Sequence, residues 1–378
     1  MASGYTPGLT VSARTTIVKI RRLPLKGEVL VKADDWVLPD SAVARANLPG
    51  IMQTVKVASR LGVDASEVPD LLTIKLGDRV ERGDLIARTK GLFNKFFIAD
   101  AKASTSGIIE IISPISGNVG IREAPTPVEI TAYIPGRITQ VLEGEGVQIT
   151  AHGALIQGIF GLGGERRAPL QMVSQSPDQP LTENDINPSL AGKVIVGGSN
   201  ISGAALKKAA DMGVVGIVVG GIIDKDMVDY LGYDIGVAIT GHENIPLTLV
   251  LTEGFGTIAM ATRTFNLLKS LEGRTAAISG ATQIRAGVIR PEVIVADETP
   301  EQGANHQDEV TLDFTLHPGA PIRIIREPYF GALATVTELP TQLVQVDSGT
   351  EVRVLRATLN SSGEEVTVPR ANVEIVAG

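Results

Sequence analysis

Four glycines in the middle of the chain have the spacing that a phosphate-binding turn needs. The segment Gly254-Phe255-Gly256-Thr257-Ile258-Ala259 matches the pattern GxGxxA, and Gly197-Gly198 forms a similar turn earlier in the chain. When such a turn follows a strand and opens a helix, its backbone N–H groups can hold a phosphate. The dinucleotide pattern also needs a carboxylate about 20 residues later, where this chain has Ser279-Gly280-Ala281. Phosphate binding at Gly197, Gly198, Gly254 and Gly256 therefore competes with a second interpretation, tight packing of strands against helices.

Two arginines follow a second glycine-rich segment. Residues 158–164 contain four glycines, and Arg166 and Arg167 come shortly after them. Glycines let backbone N–H groups converge on an anion, and guanidinium groups add positive charge. No Gly-Lys-Ser/Thr follows, so the segment is not a P-loop. We expect either an anion-binding loop or a structural turn that links two domains.

Composition excludes several other kinds of chemistry. The chain has no cysteine, which rules out disulfides, thiolate metal sites and cysteine nucleophiles. Its four histidines lack the spacing of metal ligands, and no serine-hydrolase elbow occurs. The sequence therefore predicts no metal and no cofactor. It favours a protein without enzymatic activity, although active sites that assemble only in three dimensions leave no such motif.

The charge and hydropathy of the chain limit the classes of partner that it can bind. A formal net charge of −8 and a pI of about 5.2 argue against wholesale attachment to nucleic acid or anionic lipid. The N-terminal residues lack a basic region followed by an apolar one, which is the pattern of a secretory signal. The longest apolar run, 212–223, is shorter than the ~20 residues of a membrane span. We expect a cytoplasmic protein that does not contact a membrane.

Two polar segments divide the chain into three predicted domains. With 41 glycines, 21 prolines and only 4% aromatic residues, the 378 residues favour turn-rich β-structure. Residues 174–189 and 297–308 are polar or acidic and poor in apolar side chains, as linkers are. The predicted domains are 13–173, 190–296 and 317–378.

The middle domain alternates between strand and helix patterns. Residues 193–197, 214–219, 246–251 and 275–279 are typical of buried strands, whereas 201–212, 224–231 and 256–271 are typical of helices. This order predicts a small α/β domain with a parallel or mixed sheet.

The first domain carries motifs of a known fold. Residues 77–87, GDRVERGDLIA, and 113–119, SPISGNV, resemble the conserved turn and strand of biotinyl and lipoyl domains. The resemblance covers about 15–165 and implies a barrel-sandwich hybrid fold. Carrier domains of this family present a lysine at a hairpin tip, and the candidate here is Lys102. The motif around Lys102 contains an inserted residue, so we expect a solvated loop lysine rather than attachment of lipoate or biotin.

The last domain resembles a second family. Residues 321–336, PIRIIREPYFGALATV, are similar to the KOW motif, and 351–359, 365–369 and 373–376 supply further strands. The resemblance implies an SH3-like barrel and binding to RNA, the ribosome or a transcription complex. Interaction candidates are Arg326, Tyr329 and Phe330, which could stack on a base or a protein loop. Residues 319–378 contain five arginines and seven carboxylates, so an alternative is that the aromatic residues fill the barrel instead.

Together these patterns predict a multidomain α+β chain: a barrel-sandwich hybrid-like β-domain, a small α/β domain and a KOW-type barrel. Adaptor-type modules without a catalytic motif favour a non-enzymatic interaction or scaffold protein with a protein partner. One alternative is RNA, ribosome or transcription-complex binding through the C-terminal barrel. The other is a ligand-binding protein or enzyme that uses the glycine turns.

Overall fold

β-Strands dominate the fold. Strands hold 47% of the described residues and helices 15%, and several sheets curl into half-barrels. The fold is that of a computed structural model, which describes residues 9–90, 98–233, 241, 243–283, 289–299, 316–324, 326, 328, 329, 332–345 and 351–377. The elements as far as residue 172 are β1 (Leu9–Arg22), β2 (Glu28–Val29), β3 (Trp36–Val37), β4 (Ala42–Leu48), β5 (Met52–Lys56), α1 (Val57–Leu61), α2 (Val68–Leu71), β6 (Arg79–Val80), β7 (Leu85–Arg88), β8 (Asp100–Lys102), β9 (Gly107–Ser113), β10 (Asn118–Arg122), β11 (Thr126–Thr131), β12 (Gly136–Leu142), β13 (Gly146–Gln157), β14 (Phe160–Leu162) and β15 (Arg166–Met172).

The remaining elements form the central and C-terminal parts of the chain. They are β16 (Val194–Val196), β17 (Asn200–Ile201), α3 (Gly203–Asp211), β18 (Gly216–Ile222), α4 (Asp224–Leu231), β19 (Thr248–Phe255), α5 (Thr262–Ser270), β20 (Thr275–Ser279), β21 (Glu292–Ala296), β22 (Pro321–Ile324), β23 (Leu333–Glu338), β24 (Leu343–Gln345), β25 (Glu351–Leu359), β26 (Glu365–Pro369) and β27 (Val373–Ala377).

Residues 52–122 form an inserted unit between two neighbouring strands. The strand before the unit, β4, pairs antiparallel with the strand after it, β11, so that Leu48 lies opposite Thr126. The unit contains a four-stranded sheet in the order β5-β10-β9-β6 and the hairpin β7-β8. Buried aliphatic side chains of the unit, including Ile86, Ile109 and Ile121, form a core of their own. The predicted domain 13–173 thus contains a core that is separate from that of β1, β12 and β13.

The long strand β13 joins the N-terminal sheet to the central one. It pairs antiparallel with β1, with β12 and, through residues 153–157, with β21. β21 pairs in turn with β20, and β20 with β15. The faces of these strands that point inward bury Ile17, Ile138, Ile149 and Ile294 together. The N-terminal strands and the central sheet therefore share one apolar core.

In the central part of the chain, strands and helices alternate. β15, β16, β18 and β19 are parallel neighbours, and α3 connects β16 and β17 to β18. The Ser202 side chain caps α3 by accepting a hydrogen bond from the N–H of Ala205, and Gly213 follows its end with a φ of 78°. α4 and β20 have the predicted bounds. α5 begins at Thr262 rather than at Gly256, which is a correction to the predicted helix.

The C-terminal strands form an antiparallel unit with its own core. β22 pairs with β23 and β27, while β25 pairs with β23, β24 and β26. β25 and β26 have the bounds that the sequence predicts. Buried side chains such as Ile322, Leu355 and Ile375 fill the unit.

A buried ion-pair network holds the C-terminal unit against the central sheet. Arg323 on β22 pairs with Glu253 on β19, and its Nη1 lies 3.5 Å from a carboxylate oxygen of Glu374 on β27. Arg290 donates to the other oxygen of Glu374 at 3.0 Å. Arg323, Glu253 and Glu374 each expose at most 4% of their side chains. Burial raises the pKa of Glu374, and the charges of Arg290 and Arg323 oppose that shift. Buried ion pairs therefore link the core of the C-terminal unit to that of the central sheet.

Candidate interaction site

The glycine turns pack backbone against backbone. Gly254 lies inside β19, opposite Gly221, and the N–H of Gly256 donates to the carbonyl of Ile222 at 2.8 Å. Because α5 begins only at Thr262, these glycines do not open a helix. The structure therefore lacks the strand-turn-helix geometry on which the phosphate prediction at Gly254 and Gly256 depends.

Gly197 and Gly198 lie in equally close contact. The N–H of Gly197 donates to the carbonyl of Val218 at 2.9 Å. A Cβ at Gly198 would lie 2.4 Å from the carbonyl oxygen of Gln179 and 2.5 Å from that of Ser176. Both glycines thus occur where two chain segments touch, which is the alternative interpretation of the turns.

The protein's own carboxylate fills the predicted anion nest. Glu243 accepts hydrogen bonds from the N–H groups of Gly163 and Gly241, each at 2.8 Å. Arg166 donates to the carbonyls of Ile245 and Pro246, at 2.6 and 3.2 Å, and burial lowers its pKa. The glycine-rich segment is therefore a structural turn that fixes the loop before β19.

Arg167, the neighbour of Arg166, is placed differently. Its side chain is 37% exposed and lies 3.7 Å from the carboxylate of Asp40, which is almost fully exposed. Arg167 lines an open cleft between the N-terminal strands and the central sheet. The sequence places the two arginines side by side, but their roles differ because adjacent residues of a strand point to opposite faces.

The candidate interaction residues in the C-terminal part also differ in their exposure to solvent. Arg326 is exposed, whereas Tyr329 is half-buried and packs against the core of the C-terminal unit. This placement of Tyr329 agrees with the alternative in which aromatic residues fill the barrel. Phe330 lies outside the described residues.

Lys102 is the last residue of β8 and does not lie in a loop. It is opposite Leu85 on β7, and its carbonyl accepts a hydrogen bond from Arg60 at 2.9 Å. Its side chain is exposed. The predicted solvated loop lysine is thus a solvated strand lysine.

The outer face of the inserted unit carries exposed aliphatic side chains. Ile108 on β9 is 51% exposed and Ile111 is 48% exposed. Ile108 lies opposite Arg122 on β10, which in turn lies opposite Met52 on β5. Residues opposite one another share a face of the sheet. We call the surface formed by Met52, Ile108 and Ile111 the isoleucine face.

A β-bulge brings the two isoleucines onto one face. Between Gly120 and Ile121 the register of β9 and β10 shifts, so that Ile109 faces Ile121 and Ile111 faces Gly120. Without that shift, Ile111 would point inward with Ile109, because side chains alternate along a strand. Gly120 lies beneath Met52 and Ile111, since a Cβ there would meet the Met52 sulfur at 2.9 Å and the Ile111 Cβ at 3.1 Å.

Charged side chains surround the isoleucine face. Arg79 lies opposite Ile108 on the edge strand β6, and exposed Lys56 lies at the other end of β5. Arg122 donates to Glu110 at 2.5 Å, and this hydrogen bond lowers the pKa of Glu110. An apolar centre with a charged rim is the usual anatomy of a protein interface. Arg122 lies between Ile108 and Met52 within this surface, whereas Arg79 and Lys56 lie at its edges.

A second group of charged residues includes Lys19 and Arg21, which lie on the same face of β1 as the buried Ile17. Lys19 and Glu292 form an ion pair, and Arg21 donates to both oxygens of Glu165 at 2.5 and 2.8 Å. The Arg21 guanidinium also stands 5.5 Å from the ring centre of Tyr133. These pairs connect β1 to the central sheet.

Tyr133 is the unusual member of this group. It has a φ of 71° although it is not glycine, and its buried hydroxyl has no hydrogen-bond partner among the described residues. Burial raises the pKa of Tyr133 well above its usual value. Such strain costs about 1–3 kcal/mol and persists only where surrounding contacts hold it. Here the N–H of Tyr133 donates to the carbonyl of Pro39 at 2.9 Å.

Glu292 makes the stability of the protein pH-dependent. Burial raises its pKa, and the charge of Lys19 opposes this shift. The folded chain therefore holds a proton on Glu292 at pH values where the unfolded chain has lost it. The preference of the folded chain for this proton adds to the free energy of unfolding. The added stability is complete below the unfolded pKa of about 4.3 and is lost as the pH rises through the folded pKa. We expect the stability of wild type relative to Glu292→Gln to fall with pH over that range, as measured by urea unfolding.

A second variant provides a control of opposite sign. Because the Arg122 hydrogen bond lowers the pKa of Glu110, the stability of wild type relative to Glu110→Gln should rise with pH and be lost in acid. The effect should be small, since Arg122 and Glu110 expose 36% and 49% of their side chains and solvent screens the pair. A flat pH profile for the Glu292→Gln comparison would contradict the expected contribution.

Comparison of the chain with known protein families and with curated protein sequences gives no match. Among the residues with described positions, no helix is long and apolar enough to cross a membrane. Within the same residues, no group of three or more histidine and carboxylate side chains is arranged to hold a metal ion.

Proposed function

We propose that this chain is a non-enzymatic interaction protein that binds a protein partner through the isoleucine face. The observation that carries the proposal is the exposure of Ile108 and Ile111 together, beside Met52, on a sheet whose opposite face packs on its own core. Single exposed aliphatic residues are common, but contiguous apolar patches usually mark binding surfaces. The sequence patterns alone do not identify these residues.

The proposed architecture supports a scaffold. We propose that residues 52–122 form a barrel-sandwich hybrid unit, that the central α/β unit carries it, and that the C-terminal strands form a KOW-type SH3-like barrel. The unit 52–122 supports the first assignment, because it contains the motifs 77–87 and 113–119. The network around Arg323 joins the C-terminal barrel to the central sheet, so that the units would present their surfaces in a fixed arrangement.

The rim of the isoleucine face suggests the chemistry of the partner. Arg79 and Lys56 lie at the edges of this surface, Arg122 lies between Ile108 and Met52, and Glu110 is partly neutralised by Arg122. Complementary charge steers association and selects among partners. The proposed partner is therefore a protein surface with aliphatic side chains at its centre and carboxylates around them.

Substitution of the two isoleucines tests the proposal. The wild-type chain is used to capture and cross-link proteins from its source cells, and the affinity of each captured protein is then measured with purified components. Ile108→Asp and Ile111→Asp should each weaken binding about tenfold or more, because central apolar contacts contribute most of the binding energy. Stability should change little, since exposed positions usually tolerate substitution within about 0.5 kcal/mol.

Ile115 provides the matched control. It is 91% exposed in the turn between β9 and β10, outside the strands that carry the isoleucine face. Ile115→Asp should leave the affinity unchanged. If every captured protein bound the Ile108→Asp and Ile111→Asp variants as tightly as wild type, the isoleucine face would not be the binding site.

Binding of RNA, the ribosome or a transcription complex through the C-terminal barrel remains a prediction of the sequence. The exposed side chain of Arg326 is compatible with it. Ligand binding at the glycine turns has less support, because carbonyl oxygens surround the positions of Gly198 and Gly221 closely. A protein partner in the cytoplasm is the proposal that the exposed side chains favour.

A further inference from the structure

An open cleft lies at the junction of the N-terminal strands and the central sheet. Its volume is about 190 Å³. Its lining includes the apolar residues Leu38, Pro39, Ile134, Pro135, Ala277 and Ile294. Small-molecule sites occur preferentially at such junctions and combine apolar walls with a few polar groups. The cleft has this composition.

Arg167 supplies the positive charge of the cleft. It lies opposite Ala277 on β20, and Ala277 lies opposite Ile294 on β21, so the three side chains form one row across the sheet. All three residues line the cleft, so its apolar lining continues up to Arg167.

The donors of Arg167 are largely unused among the described residues. Its one charged contact there is Asp40 at 3.7 Å, which is longer than a hydrogen bond. By contrast, Arg21 forms a bidentate pair with Glu165, and Arg166 donates to backbone carbonyls. A guanidinium has five N–H donors in a planar fork, which fits a carboxylate. The Thr275 hydroxyl lines the same cleft.

We propose that the cleft binds a small monocarboxylic acid with an aliphatic or aromatic body. Arg167 would take the carboxylate, and the walls around Leu38 and Ile134 would cover the apolar part of the ligand. This site is additional to the isoleucine face and shares no residue with it.

Charge and size restrict the ligand. Glu298 lines the cleft and Asp40 stands beside Arg167, so both carboxylates oppose a ligand with several negative charges. The cleft is also smaller than the ~300 Å³ at which sites for drug-sized ligands begin. Nucleotides and phosphorylated metabolites therefore fit less well than a short acid such as hexanoate or benzoate.

Four probes and two arginine variants test the site. Hexanoate and benzoate are titrated into the full chain and followed by ligand-observed NMR, with hexanol as the uncharged match and inorganic phosphate as the anion without an apolar body. We expect saturable binding of the two acids only. Arg167→Gln should weaken that binding at least tenfold, because it removes the charge-assisted hydrogen bonds.

Arg137 is the matched control. It is 51% exposed, lies 3.9 Å from Asp34 and does not line the cleft. Arg137→Gln should bind hexanoate as wild type does. Equal binding by Arg167→Gln, or no saturable binding of either acid at millimolar concentration, would overturn the proposal. Ile108→Asp should retain hexanoate binding, so failure of this site and failure of the isoleucine face are distinguishable.

Discussion

Replacement of Arg323 by methionine is expected to lower the free energy of unfolding by about 3–5 kcal/mol, the usual cost of removing one partner from a buried ion pair. Arg323 is the only side chain that contacts both Glu253 and Glu374 among the described residues. Its loss would leave the Glu253 charge buried without a counterion. Chemical unfolding should then show two transitions, because the C-terminal unit has its own core.

Two further variants make this expectation specific. Arg356→Met removes an ion pair with Glu338, at 2.9 Å, in which both side chains are about half exposed. It should cost less than about 1 kcal/mol. Adding Glu253→Gln to Arg323→Met should restore part of the lost stability, since the amide oxygen can still accept from the N–H of Ala261. If Arg323→Met were as stable as Arg356→Met, the network would contribute little.

Gly220→Ala is expected to destabilise the protein by about 3 kcal/mol or more, at or above the upper end of ordinary overpacking. A Cβ at this position in β18 would lie 2.2 Å from the carbonyl oxygen of Ile258 and 2.7 Å from that of Ser199. Both atoms belong to the backbone, so relief requires whole segments to move. Thermal unfolding measures the effect directly. This variant tests whether the glycine turns are packing sites.

Gly164 offers a control with room for a methyl group. Among the residues with described positions, a Cβ there would meet only the carbonyl oxygen of Gly241, at 3.5 Å, which is an ordinary contact. Gly164→Ala should be neutral or stabilising by up to about 1 kcal/mol, because alanine reduces the freedom of the unfolded chain. Equal stability of Gly220→Ala and Gly164→Ala would contradict the packing interpretation.

Local sequence patterns predict the central elements well. α4 and β20 have their predicted bounds, because acidic residues at the start of α4, a glycine after it and apolar runs are short-range signals. The predicted helix from residue 256 begins late for a long-range reason. Gly256 donates to Ile222 and Met260 donates to Pro177, so contacts with distant segments hold this stretch out of a helix.

The candidate site depends on features that local patterns do not contain. The series Ile108, Ile109, Ile111, Ile112 does not indicate which members face solvent, and the bulge opposite Gly120 decides it. In the same way, the carboxylate that occupies the Gly163 turn is Glu243, 80 residues away in the chain. Pairing across such separations is set by the tertiary fold, which a single sequence does not reveal.

The adjacency of Leu48 and Thr126 makes the inserted unit exchangeable. Because the chain enters and leaves through paired strands, a short turn could replace all of residues 52–122 and convert β4 and β11 into an ordinary hairpin. The rest of the protein would lose the proposed recognition surface but keep the strands that build its own core. Related chains could thus gain, lose or exchange the inserted unit. The choice of partner could then evolve separately from the sheets that carry the unit.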